Sequence, residues 1–341
     1  MFHTEYNNYF EGSYEQITNG SYTKNGNAYL YNSFFKDLSN RVLYSSGDLK
    51  TVIESTTFIS ISTNEGYGGC IFLNENGEIV QNRVCSTDCW ADSNGQHCYC
   101  ITSIGDSKNW ILESSFSRTF NEEKGDISIS FYHGHQFLYN SNISYFKTSS
   151  ISAYFFCTAD TESNSSMNSI INNTSSSDIC ICFSTDTYQQ PHDEKLFRSN
   201  IINNKAKDQL IEVYQNSLTI YECNIINSFA DNIFIIQSPY GNDFRGSISI
   251  ENSCLNNNQG TIPNDISITS TKNEMIENHL KHLSADLCFE SNTRNIISNI
   301  IDNNEAFINI VIEDADEIEI INKKERDFRK FWTFVFLNIS I

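Results

Sequence analysis

The feature that most constrains the fold is a short pattern that returns at a nearly fixed spacing. It reads apolar, two variable residues, Ser or Cys, one variable residue, apolar. It occurs as Leu30…Ser33…Phe35, Ile111…Ser114…Phe116, Leu138…Ser141…Ile143, Leu196…Ser199…Ile201, Ile220…Cys223…Ile225 and Ile250…Ser253…Leu255. A weaker copy is read at Val52…Ser55…Thr57. The small polar positions lie 22, 59, 27, 58, 24 and 30 residues apart. Each long gap is about twice the others, so it hides one degenerate or enlarged unit. Asn168, ahead of Ile170 and Ile171, stands where the missing unit of the second gap falls. A fixed period of roughly 20–50 residues marks a solenoid, whose units bury their apolar faces by stacking on one another.

What fills the period selects the kind of solenoid. Helical repeats need long 3.6-period stretches of Ala, Leu, Glu and Lys, which are missing. The chain offers short β-branched and aromatic runs instead, at 209–214, 217–221, 232–237 and 246–251, each bounded by Asn, Asp, Ser or Gly. Those bounding residues bond their own backbone or tolerate left-handed geometry at corners. Three strands and three turns fit into about 22–30 residues. A leucine-rich repeat would need a tighter Leu consensus, and propeller blades a longer period. The expectation is therefore an all-β chain folded as a right-handed parallel β-helix. It has an N-terminal cap at 1–27, a solenoid at 28–315, and a C-terminal cap or vestigial anchor at 316–341. The solenoid column Phe116, Ile143, Ile201, Ile225 and Leu255 is expected to point inward.

Charge narrows the partners. With 42 acidic against 22 basic residues the chain carries a formal charge of −20, which repels nucleic-acid phosphate and anionic headgroups. No nucleic-acid partner is expected. No run of apolar residues is long enough for a convincing transmembrane helix; the short stretch 331–341, after the basic cluster Lys323, Lys324, Arg326, Arg329 and Lys330, reads as a terminal cap or a truncated anchor. The 24 Phe and 17 Tyr supply large buried areas per residue.

Phe197-Arg198-Ser199-Asn200 and Phe289-Glu290-Ser291-Asn292 carry an F-x-x-N signature, and Gly68-Gly69-Cys70-Ile71 a Gly-Gly-small-apolar signature. With the Asn-Ser-Ile-Tyr-Phe-Cys composition, these make the chain resemble the polymorphic outer-membrane-protein-like β-helices, and in particular the β-helix repeat proteins of trichomonad parasites. The resemblance implies a surface-exposed or secreted protein of adhesive or unknown role and carries no defined activity across. The start, Met1-Phe2-His3-Thr4-Glu5, lacks the basic and apolar regions of a signal peptide. Export without a cleaved leader, a fragment, and a cytoplasmic member of the family all stay open.

The 11 cysteines form two groups. Cys157, Cys180, Cys182, Cys223, Cys254 and Cys288 recur about once per coil and read as small apolar ladder residues. Cys70, Cys85, Cys89, Cys98 and Cys100 crowd together, and residues 82–100 are expected to leave the regular coil. Disulfides among these five, reduced structural thiols and a metal site are the three readings; the spacing does not match paired zinc knuckles. The six N-x-S/T sequons, at Asn19, Asn142, Asn164, Asn172, Asn173 and Asn338, are no more than so Asn-, Ser- and Thr-rich a chain gives by chance.

No catalytic, cofactor or metal residues are assigned. The strings typical of pectate-lyase-like and polygalacturonase-like β-helices are missing, as are a phosphate loop and a nucleophile elbow. Tyr132-His133-Gly134-His135 places two imidazoles alternately along an expected strand, and Asp314, Asp316, Glu317 and Glu319 form an acidic cluster; an exposed loop pair and a solvated face are the plainer readings. Between residues 186 and 251 the acids Asp193, Glu194, Asp208, Glu212, Glu222, Asp231 and Asp243 are expected at strand ends and turns. The expectation is a non-enzymatic, elongated β-helix that binds carbohydrate or a surface protein. The alternative is a divergent or degenerate polysaccharide lyase or glycosidase on the same fold.

Overall fold

The computed structural model describes residues 6–17, 22–23, 27–64, 66–102, 105–118, 123–159, 161, 163–185, 192–238 and 246–278. All of them lie in the first of two compact units, Met1–Phe289. The acidic cluster from Asp314 to Glu319, the second F-x-x-N signature, Cys288, Asn19, Asn338 and the 316–341 segment lie outside the described residues.

The unit is an all-β parallel solenoid with turns of about 27 residues. Each complete coil presents three strands. On the first face Ala28–Tyr31, Lys50–Glu54, Lys108–Leu112, His135–Tyr139, Ser163–Ser166, Asp193–Phe197, Ser217–Tyr221 and Ser247–Glu251 follow one another. The second face is a ten-stranded sheet of two- and three-residue strands running from Phe34–Lys36 to Thr271–Lys272. The third face carries Leu43–Ser46, Asn94–Thr102, Ile127–Tyr132, Ile151–Thr158, Ile179–Thr185, Gln209–Tyr214 and Phe229–Gln237. One strand, Ile71–Asn82, serves two faces: its first half pairs with Leu43–Ser46 and its second with Lys50–Glu54.

The corners explain the repeated pattern. The residue before each small polar position is left-handed: Asn32, Ser55, Arg83, Glu113, Asn140, Met167, Arg198, Glu222 and Asn252 have φ between 45° and 56°. Such a residue costs about 1–2 kcal/mol when it is not glycine, and it takes neighbouring backbone groups out of the sheet. The next side chain replaces the lost bonds. The N–H of Val84 donates to Ser114 Oγ (3.0 Å), that of Ser114 to Ser141 Oγ (3.1 Å) and that of Ser141 to Asn168 Oδ1 (2.9 Å). Asn168 N–H then donates to Ser199 Oγ (3.1 Å), Ser199 to Cys223 Sγ (3.5 Å) and Cys223 to Ser253 Oγ (3.1 Å). The hydroxyls of Ser33, Ser114, Ser141, Ser199 and Ser253 donate in turn to the carbonyl two residues back. Ser, Asn and Cys are thus interchangeable because each presents one acceptor at a buried corner.

A second corner repeats the device. Asp37, Ser60, Asp88, Tyr145, Asn172, Asn203, Asn227 and Asn257 are left-handed, with φ of 53–64°. The residues that follow form an internal ladder: Phe146 N–H donates to Asn173 Oδ1, Asn173 to Asn204 Oδ1, Asn204 to Ser228 Oγ and Ser228 to Asn258 Oδ1. Two of the sequon asparagines are therefore structural: Asn173 is fully buried, and Asn142 donates to Ser115 and Ser144.

The core is the column enclosed by the faces. Phe35, Phe58, Phe116, Ile143, Ile170, Ile201 and Ile225 stack in register along the second face and are buried, while Leu255 packs against the same core, partly exposed. Asn168 fills the missing coil of the second gap. The first gap holds the coil of Gln81, Val84 and Ser86, aligned with Ile111, Ser114 and Phe116. Too little of the apolar pattern survives there to be seen.

Three expectations need correction. The weak copy is shifted by one residue: Leu30 pairs with Ile53 and Phe35 with Phe58, so the unit is Ile53…Thr56…Phe58. Ser55 is the left-handed corner, and Val52 points outward. The ladder also begins ahead of residue 28, because Glu15–Ile17 pairs with Ala28–Tyr31 and Tyr22–Thr23 with Leu43–Ser46. Finally, residues 82–100 do not leave the coil. Cys85–Thr87 and Asn94–Thr102 pair with the coils on either side, and Trp90–Ala91 with Ser62–Thr63. The polar residues that suggested an excursion are its corners, Asp88 (φ 56°) and Gly95 (φ 76°). At Gly68, φ is 66° and a Cβ would lie 2.2 Å from the Ile71 carbonyl oxygen, so the Gly-Gly signature is a geometric need of this corner.

Candidate functional site: an aromatic track on the third face

Along the third face alternate residues point away from the core. In register these outward residues are Tyr44, Phe72, Tyr99, Ser130, Phe155, Cys182, Glu212 and Ile235. Coils stack about 4.8 Å apart, so rings in one column must touch. The centroids of Tyr44 and Phe72 are 5.4 Å apart, those of Phe72 and Tyr99 5.6 Å. Where the column drops to Ser130, Tyr132 closes the gap, 5.3 Å from Tyr99 and 5.1 Å from Phe155. The result is a five-coil track of half-buried rings. Tyr67, 42% exposed, lies over it, 4.8 Å from Tyr99 and 5.9 Å from Phe72. At the near end the Arg41 guanidinium sits 5.4 Å from the Tyr44 ring and 5.2 Å from that of Phe72. Burial raises the pKa of Tyr99 and Tyr132, each phenol feeling the other, so both stay neutral hydroxyls.

The far end is acidic. Burial, with Asp178 adding to it, pushes Glu212 up to about 7, and the Cys182 thiol opposes this. Gln237 Nε2 donates to Glu212 Oε2 at 3.0 Å, and Cys182 Sγ lies 3.9 Å from Oε1. Asp178 is raised as well, by burial first, with Asp208 adding to it. An aromatic track thus runs into a carboxyl that changes charge near neutrality.

On the first face the outward column is covered at one end only, and it continues as the half-buried rings of Trp110 and Phe137, 6.2 Å apart. Tyr29, Val52 and Val80 cluster with Tyr6 and Phe10 of the N-terminal segment, and Trp110 packs at the edge. Lys50 and Lys108 lie over the Phe10 ring, at 5.7 and 5.1 Å.

The sequence-derived candidates fall elsewhere. Cys70, Cys89, Cys98 and Cys100 are free, buried thiols packed into the core. Cys85 is in a disulfide with none of these four. His97 is fully buried, donates Nε2–H to Gln81 Oε1 at 2.7 Å, and is pushed down to about 3 by burial. His133 and His135 do not share a strand: His133 (φ 60°) and Gly134 (φ 68°) make the corner between Ile127–Tyr132 and His135–Tyr139. Among the described residues no three His, Cys, Asp or Glu side chains form a group able to hold a metal, and no helix is long and apolar enough to cross a membrane. Glu194, expected at a strand end, is buried. Its carboxylate accepts from Thr158 Oγ1 (3.0 Å), the Ser163 N–H (2.7 Å), Ser163 Oγ and Asn216 Nδ2 (2.9 Å).

Sequence reasoning missed the track and the setting of Glu212. The signal was present: Tyr44, Phe72, Tyr99 and Phe155 occupy one position once the coils are aligned on the third face, whereas the alignment rested on the corner between the first and second. In comparisons with known proteins, no family model, no curated protein and no solved structure matches this chain.

Proposed function

We propose that the protein is a non-enzymatic β-helical binding protein of an extracellular or cell-surface setting, with a carbohydrate or a surface protein as its partner. One observation carries this reading: the half-exposed row of Tyr44, Phe72, Tyr99, Tyr132 and Phe155, with Tyr67 across it. Rings that combine an apolar body with a polar tip are the residues enriched where proteins meet partners. The surface setting rests on the resemblance to the trichomonad and polymorphic outer-membrane-protein-like β-helices. The test is a binding screen of the purified chain on glycan arrays and intact cells, in which wild type binds and Tyr99→Ala binds at least about tenfold more weakly. Equal binding by both would remove the track from the account.

A second reading, a divergent polysaccharide lyase or glycosidase, is favoured by Glu212. A carboxyl held near pH 7 beside an aromatic track has the ionisation a general acid needs. Release of reducing ends from polysaccharide, abolished by Glu212→Gln, would establish it; identical blanks for both proteins would leave the binding reading.

A further inference from the structure

We propose that the third-face track takes an uncharged polysaccharide chain, laid along the solenoid axis with successive sugars over successive rings. This rests on the reading of the track as a binding surface and names its ligand class. The spacing, chemistry, charge and openness of the track point to that occupant. The steps between ring centroids, 5.1–5.6 Å, are close to the length of one pyranose in an extended chain, and they repeat over five coils. The rings are inclined to one another by 47–61° rather than stacked flat, and each stays partly open to solvent. The weakly positive C–H face of a sugar meets the negative face of an aromatic ring, while the neutral phenols of Tyr99 and Tyr132 offer hydroxyl partners.

Charge selects against acidic glycans. The chain carries −20, and Asp178, Asp208 and Glu212 gather at the far end of the track. Arg41, the one cation stacked on it among the described residues, is itself buried. A row of rings on a sheet face also differs from the closed, desolvated pocket in which protein hot spots sit. Finally, the N-terminal end of the first-face column is covered by the chain itself: Tyr6 and Phe10 lie over Tyr29, Val52 and Val80, and are 0% and 4% exposed. The third-face rings stay half-exposed.

The test is calorimetric titration of the full chain with neutral β-glucan and mannan oligomers, from disaccharide to hexasaccharide, with polygalacturonate as the anionic control. Affinity should rise with each added sugar until the track is filled, and polygalacturonate should not bind. Tyr67→Ala, at a ring 42% exposed, and Tyr99→Ala should each weaken the longest oligomer by about tenfold, with circular dichroism confirming unchanged strand content. Tyr99→Phe should keep most of the affinity. Length-independent binding, or affinity unchanged in both alanine variants, would overturn the proposal. So would binding to enzymatically deglycosylated cell surfaces with no response to any oligomer, and that outcome would leave the broader binding function standing. Failure on every probe would remove both.

Discussion

The backbone N–H of Asn173 donates to Oδ1 of Asn204 one coil further on, at 2.9 Å, while Asn204 Nδ2 reaches back to the Ile170 carbonyl at 2.8 Å. A single amide thus ties together the corners of adjacent coils, where the sheet bonds are interrupted. Asn204→Ala would leave buried partners unsatisfied on both sides. It should destabilise the unit by about 2–4 kcal/mol, read from the midpoint of urea unfolding. A loss below about 0.5 kcal/mol would mean that the ladder contributes little.

Tyr145 is the counter-case, a bulky residue at a left-handed corner, with φ 64° and its side chain 55% exposed. Tyr145→Asn keeps the corner and relieves the steric cost. It should stabilise by roughly 0.5–1 kcal/mol, visible as a higher unfolding midpoint. A lower midpoint would assign the ring a packing role.

Glu212 gives stability a pH dependence of known sign. Its folded pKa, about 7, lies above the ordinary 4.5, so the folded state holds the proton more tightly than the unfolded chain. Its contribution is complete below about 4.5 and is lost as pH rises to about 7. Glu212→Gln removes that loss, and should raise stability above pH 7 by up to about 3 kcal/mol. Parallel stability–pH curves for variant and wild type would contradict the assignment.

His97 acts in the opposite direction. Burial holds it near 3 rather than 6.5, so the unfolded chain takes up the proton first. Stability from this site is complete above about 6.5 and falls as the pH drops towards about 3. His97→Gln should flatten the acid limb of the curve.

The thiols of Cys70, Cys89, Cys98 and Cys100 are buried and free. All four should resist alkylation in the native protein and react in denaturant without any reductant, as read by peptide mass spectrometry. Protection of any pair in denaturant would indicate a bond between them.

The architecture was legible because the corner between the first and second faces writes itself into the sequence: Ser33, Ser114, Ser141, Ser199 and Ser253 perform one task at one spacing. Cys223 and Asn168 were recognisable as substitutes because they too present an acceptor. The coil of Gln81, Val84 and Ser86 was not legible, since it keeps the position and gives up the residue types. The Cys-rich stretch misled for a related reason. Asp88 and Gly95 serve as corners in a regular rung, and polarity alone does not tell a corner from a loop. The track escaped notice because outward aromatics at Tyr44, Phe72 and Tyr99 alternate with inward apolar residues. Such runs read as buried strand until the register shows which side each ring takes.

The most direct measurement of the central claim compares wild type with the triple variant Tyr67→Ser, Tyr99→Ser, Tyr132→Ser in equilibrium binding to intact cell surfaces, with circular dichroism confirming the same strand content. The account predicts saturable binding by wild type and a loss of about a hundredfold or more in the variant. A folded variant that binds as tightly as wild type would contradict it.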